Sequence, residues 1–163
     1  MADPRLKTYA IAASVFFLDR LTKWFIETHV SFLDTYHVIP GFFDIVHSQN
    51  RGVAFGLFHD GVSPVRTAVL IVLSLAALIL VAGLLWRSRG IDRLTAWALA
   101  LVLGGAMGNV FDRIAWGRVT DFLEFYVGSL HWPTFNLADS AIVVGSGLLL
   151  IDLLKPKRQA ART

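Results

Sequence analysis

Two aspartates, Asp121 in "VTDFLEF" and Asp139 in "FNLADSAI", have no obvious local counter-charge and stand among apolar residues. If they meet in space behind hydrocarbon, they cannot both ionise cheaply. Repulsion and desolvation raise one pKa, and the pair holds a single proton. The ionised member can then take a proton from water while the neutral one donates to a carbonyl oxygen, as in aspartic proteolysis. Each acid also has a simpler reading. Asn136 as N-cap with Asp139 three residues on resembles a capping box, and an acid in the first turn suits the helix dipole. Asp121 alone reads equally well as a solvated loop acid. Other chemistries lack their residues. The chain has no cysteine, which removes disulfides, thiol catalysis and thiolate metal sites. His29, His37, His47, His59 and His131 lack ligand spacing. There is no P-loop, dinucleotide loop or serine with a partnered histidine, so neither a metal, a cofactor nor a nucleic-acid partner is expected.

The elements that must position these groups are apolar helices. Of 163 residues, 55% are hydrophobic and 17% charged, against about a quarter charged in soluble domains; mean hydropathy is +0.60. Thr67–Trp86 is twenty residues without a charge, and Leu94–Phe111 eighteen. At about 1.5 Å per residue, twenty residues cross about 30 Å, one hydrocarbon core. Two weaker spans flank this pair. The first must carry Asp19, Arg20 and Lys23, and a charge at mid-helix costs roughly 2.5–3.5 kcal/mol. Those charges therefore lie near an interface, pair with each other, or face protein. The last span carries Asp139 and Asp152. Arg5 and Lys7 before an apolar stretch also fit a cleaved signal peptide, but no A-x-A-like site follows, so an uncleaved first helix is expected.

The expected architecture is a mostly α membrane protein: a four-transmembrane-helix bundle with a small extracytoplasmic β-sheet. It forms a single integral membrane domain over residues 1–163, with spans at about 8–27, 67–86, 94–113 and 137–154 and outer loops at about 29–65 and 115–134. Arg5, Lys7, Arg87, Arg89, Arg93, Lys155, Lys157, Arg158 and Arg162 then share one side, which the positive-inside rule makes cytoplasmic, both termini included. The outer loops contain "YHVIPGFFDIVHSQNRGVAFGLF" and "VTDFLEFYVG", β-branched and aromatic runs broken by turn residues that read as short strands.

This topology gathers polar groups at one depth, near the outer leaflet. Asp19 and Lys23 are spaced i,i+4 in the favourable order. Asn109 and Arg113 are spaced likewise at the end of the third span. Asn50 and Arg51 sit in the first outer loop, and Asn136 and Asp139 open the last helix. Asp112, beside Arg113, reads as a solvated helix-end acid. Ionisable groups at membrane depth usually face protein or a water-filled cavity and suggest function. Trp24, Trp97, Trp116 and Trp132 read as interfacial belt residues.

In order along the chain come "DRLTK" (Asp19–Lys23), "NRGVAF" (Asn50–Phe55), "GGAMGNVFDR" (Gly104–Arg113), "GRVTDF" (Gly117–Phe122) and "FNLADSAI" (Phe135–Ile142). In these five elements the sequence resembles the lipoprotein signal peptidases, the signal peptidase II family. The resemblance implies an aspartyl endopeptidase of the bacterial cytoplasmic (inner) membrane that cuts diacylglyceryl-modified prolipoproteins just before the lipidated cysteine, acts among membrane lipid, and binds globomycin-type inhibitors. It implies Asp121 and Asp139 as the catalytic pair. Asp19, Lys23, Asn50, Gly52, Gly105, Asn109, Arg113 and Asn136 then support the site or bind substrate. Two readings from other classes stand beside it. A proton-coupled transporter would use Asp19, Asp121 and Asp139 as a relay, but the second span offers only Thr67 and Ser74 along a path. A structural membrane subunit would need capped helices and no chemistry.

Overall fold

A computed structural model describes residues 4–51, 64–87 and 92–155. Gly52, Arg89, Lys157, Arg158 and Arg162 lie outside the described residues. The described residues form helices α1 (Pro4–His29), α2 (Pro64–Arg87), α3 (Arg93–Trp116) and α4 (Leu137–Leu154) and strands β1 (Thr35–Ile39), β2 (Phe43–Asn50), β3 (Val119–Val127) and β4 (Leu130–His131). The chain is mostly helical, with one small antiparallel sheet in the order β1-β2-β3-β4. Helices α3 and α4 are long and apolar enough to cross a membrane; α2 contributes a shorter apolar run, Ile71–Trp86.

Local chemistry sets the ends of these elements. Asp92 caps α3, accepting from the backbone N–H of Leu94 at 2.8 Å and Thr95 at 3.1 Å. Thr95 Oγ1 donates to Asp152 at 2.7 Å, which ties the start of α3 to the end of α4 and explains an acid late in an apolar helix. Gly117, at φ 68°, closes α3 by donating to the Arg113 carbonyl, a left-handed cap that side-chain-bearing residues disfavour. Helix α3 is the centre of the bundle and packs against α1, α2 and α4.

Burial inverts the soluble pattern. The largest fully buried side chains among the described residues are Lys23, Val119, Asn136, Asp19, Asp112 and Asp121; all but Val119 are polar or ionisable. Meanwhile Leu73, Ile79 and Leu80 on α2 and Val143 and Leu150 on α4 are exposed. Apolar surface on this scale marks contact with a membrane or a partner.

One short pairing positions the site. Phe135 forms an isolated bridge to Leu123 of β3, with N–H···O bonds of 2.8 Å and 3.0 Å between the two residues. The residue after Phe135 is the N-cap of α4. The sheet and the polar end of α4 are therefore joined within one residue of Asn136.

Candidate active site

Asp139 lies in the first turn of α4, and each of its carboxylate oxygens has a donor. Oδ2 accepts from the Asn136 backbone N–H at 3.2 Å, while the Asn136 side chain accepts from the Asp139 N–H at 2.9 Å. This is the reciprocal capping box. Oδ1 is left for another partner and accepts from Asn109 Nδ2 of α3 at 2.7 Å. The cap holds the carboxyl group by one edge and presents the other to the bundle.

Asp121 lies on β3, is 2% exposed, and accepts from Asn136 Nδ2 at 2.7 Å. Asn50, at the end of β2, also hydrogen-bonds its carboxylate. Burial, and then the nearby Asp139 charge, push the Asp121 carboxyl up from 3.8 to about 6, against the lowering effect of Asn50, Asn136 and Lys23. The Asp139 charge thus acts on Asp121, and the two acids share Asn136, which caps one and donates to the other. This burial excludes the solvated-loop reading of Asp121.

Beneath the acids lies a buried ionic cluster. Lys23 is fully buried; its Nζ is 2.8 Å from Asp19 Oδ2, 2.7 Å from Asp112 Oδ2 and 3.0 Å from Asn109 Oδ1. Asp19 reaches further than its helical pair: Oδ1 accepts from the Ala138 backbone N–H of α4 at 2.9 Å. Arg113 donates from Nη1 to the Asn109 carbonyl at 3.2 Å and lies in the field of Asp139, Asp121 and Asp112. Its Nε is buried without a hydrogen-bond partner. Close helix approach makes room for this cluster. A Cβ on Gly108 would strike the Asp19 carboxylate, and one on Gly105 would strike the Ala138 carbonyl.

The structure therefore brings together Asp19, Lys23, Asn50, Asn109, Arg113, Asn136, Asp121 and Asp139, and seats Gly105 against the α4 backbone at Ala138. Gly52 falls outside the described residues. The reading of Asp112 as a solvated acid is overturned: it is 1% exposed and pairs with both Arg20 and Lys23. Position on a helix end suggested solvent, but α1 packs across it. Its partner Arg20 lies on α1, 92 residues away, so no local signal in the sequence pointed to the pair. A groove of about 780 Å³, lined by Leu21, Trp24, Phe25, Ile26, Val30 and Phe122 among others, runs between α1 and the sheet. It contains neither acid of the pair.

Fold and site together define a class: a helical membrane-type enzyme with two hydrogen-bonded carboxyl groups facing a buried ionic cluster. Comparison with known proteins narrows it. The family model for signal peptidase (SPase) II matches residues 11–155. A lipoprotein signal peptidase of Solibacter usitatus is 63% identical over 161 residues, covering 99% of this chain and 98% of that one. That of Syntrophus aciditrophicus is 37% identical, covering 98% and 99%. A solved bacterial membrane enzyme superposes with a TM-score of 0.82 at 28% identity over 96% of this chain and 93% of its own. A second does so at 0.81 and 30% identity, covering 93% and 94%. The chain belongs to the signal peptidase II family.

Proposed function

We propose that the chain removes signal peptides from diacylglyceryl-modified prolipoproteins as an intramembrane aspartyl endopeptidase, cutting before the lipidated cysteine. Family membership carries the protease and its prolipoprotein substrate. The observation that carries the catalytic type is the Asn136 bridge, which donates to Asp121 and caps Asp139. Charge counting supports a shared proton. Asp19, Asp112, Asp121 and Asp139 face Arg20, Lys23 and Arg113, and the partly exposed Glu27 stands 3.9 Å from Arg20 at the edge. Carboxylates outnumber cations there, and burying an uncompensated charge is costly, which favours a proton on the pair.

In the reaction, water sits between the two carboxyl groups and attacks the scissile carbonyl carbon. The ionised aspartate takes one water proton, and the neutral one gives its proton to the carbonyl oxygen. The tetrahedral species collapses as the C–N bond breaks: the amine nitrogen takes the proton held by the first aspartate, and a hydroxyl of the species returns one to the second as the carbonyl re-forms. No covalent intermediate and no cofactor are required. Arg113, with its unpaired Nε, and Asn50 are suited to hold substrate backbone carbonyls. The apolar groove between α1 and the sheet suits an acyl chain.

The same reading places the protein in the bacterial cytoplasmic membrane with four spans, both termini cytoplasmic and the pair near the outer leaflet. Exposed aliphatic side chains on α2 and α4 and the one-sided distribution of Lys and Arg support this arrangement. Globomycin-type inhibitors are expected to block the site. The test supplies purified protein with a lipidated prolipoprotein. Asp121→Asn and Asp139→Asn should each lower turnover by about 10³-fold, within the range of acid–base catalysis. Signal-peptide release at the wild-type rate by either variant would refute the pair.

A further inference from the structure

Asp112 belongs to no step above, yet its carboxylate is among the most buried in the described residues. It holds two cations: Arg20 Nη1 at Oδ1, and Lys23 Nζ 2.7 Å from Oδ2. Arg20 is pinned from its other side, 4.5 Å from the Trp116 ring centre and 5.5 Å from that of Phe111. An ammonium has three donors and no acceptor, and Lys23 has three oxygen neighbours: Asp112, Asp19 and Asn109. Two of its donors are hydrogen-bonded, to Asp19 and Asn109, and Asp112 Oδ2 faces it as an ion-pair partner, with no hydrogen bond to that oxygen.

The contacts of Asn109 itself settle how it points. Its Oδ1 faces Lys23 at 3.0 Å and accepts from Asn136 Nδ2 at 3.2 Å, so its Nδ2 faces Asp139 at 2.7 Å. A flipped amide would set N–H against the ammonium and its oxygen against the carboxylate, losing both bonds. The orientation of the donor to Asp139 thus depends on where Lys23 is held. Asp19 shares that task but is also engaged with the Ala138 N–H; Asp112 and Arg20 form the outer anchor.

We propose that Asp112, braced by Arg20, is a positioning residue for the acid pair: it anchors the ammonium that orients Asn109, and its charge helps to set the pH range over which the pair holds one proton. This rests on the acid-pair reading. The charged groups around it are Asp19, Arg20, Lys23 and Glu27 from α1, Arg113 from α3, Asp121 from β3 and Asp139 from α4. Glu27 stands 3.9 Å from Arg20.

The two partners make opposite predictions. Activity that needs one proton on the pair gives a bell-shaped pH profile. Asp112→Asn removes a negative charge, stabilises ionised carboxylates nearby, and shifts the bell to lower pH. Arg20→Gln removes a positive charge, leaves Asp112 and Glu27 less compensated, and shifts it to higher pH. For unit charges on the order of 10 Å apart at an intermediate effective dielectric, each shift is about half a pH unit or more. A purely structural ion pair predicts the same loss from either variant with the bell in place.

The experiment measures kcat and KM on a lipidated prolipoprotein across about pH 4–9, using the full chain. It compares Asp112→Asn, Arg20→Gln, the double variant, Arg20→Lys and Asp121→Asn. Expected are opposed shifts for the two single variants, a restored bell in the double variant, and a near-wild-type bell for Arg20→Lys. Asp112→Asn should also lower kcat by about ten- to a hundredfold, with KM within about twofold. Should Asp112→Asn fail to fold, Arg20→Gln decides alone, since Arg20 sits at the partly exposed edge. A stationary bell in Arg20→Gln, or shifts of the same sign, overturns the role of Asp112. If Asp121→Asn in that same series is inactive, the acid-pair reading survives. Asp121→Asn at wild-type turnover overturns the acid pair and this proposal with it.

Discussion

Around Ala12, Leu85, Leu99, Ala100 and Leu103, helices α1, α2 and α3 meet through small and aliphatic side chains. Around Asp19, Lys23, Asn109 and Asp112, α1 and α3 meet again, and there the contacts are buried ions and an amide. Within a membrane, apolar surface gains little from leaving lipid for protein, so helices associate through close packing and interhelical hydrogen bonds. The first region uses packing, which is non-directional and tolerant of small shifts. The second uses bonds of fixed length and direction, each of which restricts the next. Lys23 fixes Asn109, Asn109 meets Asp139, and Asn136 joins Asp139 to Asp121. The catalytic proposal needs that second kind of contact, because aliphatic packing cannot set the position of a carboxyl oxygen.

The largest effect on the fold is expected where the ionic region is broken by half. Lys23→Met leaves Asp19 and Asp112 buried with one cation fewer. It should lower unfolding stability by about 3–5 kcal/mol, read as thermal or denaturant unfolding in detergent. Unchanged stability would show that the cluster is not held by charge.

A smaller effect should follow from pH. The Asp121 carboxyl is raised from 3.8 to about 6 by burial and then by Asp139, so the folded state binds this proton more tightly than the unfolded state. The stabilising contribution is complete below about pH 4 and is lost as pH rises through about 6, a change of about 3 kcal/mol. Asp121→Asn should remove that slope and be the more stable protein at neutral pH while losing turnover. A wild-type slope retained in Asp121→Asn would assign the titration to another group.

The apolar region should respond differently. Leu103, 6% exposed, truncated to Ala should cost about 2 kcal/mol of stability and leave turnover per folded molecule unchanged. A large loss of turnover would mean that the two regions are mechanically coupled, and the contrast between them would fail.

The helical character, the presence of a small sheet and the family were legible in the residues; the sheet's antiparallel pairing was not. Long uncharged runs leave few alternatives to a buried or membrane helix, and "VTDFLEFYVG" carries the two-residue alternation of a strand. The capping box was equally legible, because its partners are three residues apart in sequence. Asp112 was not. Its partners lie on α1, 92 residues away for Arg20, and no local rule reports which helix will pack across a helix end. The second role of Asp19, as acceptor for the Ala138 N–H, spans 119 residues and was hidden for the same reason.

The sequence by itself determined which groups are present and roughly where along each helix they sit: periodicity, caps and charge placement are short-range properties of a chain with fixed rise per residue. Only the tertiary structure decided which oxygen faces which nitrogen. That choice depends on the Phe135–Leu123 bridge, which sets α4 against β3, and on the side-chain-free faces of Gly105 and Gly108, which let α4 and α1 approach α3 closely enough for an ion cluster to close. Hydrogen bonds weaken steeply with tenths of an ångström and tens of degrees, and those are set by packing between distant segments.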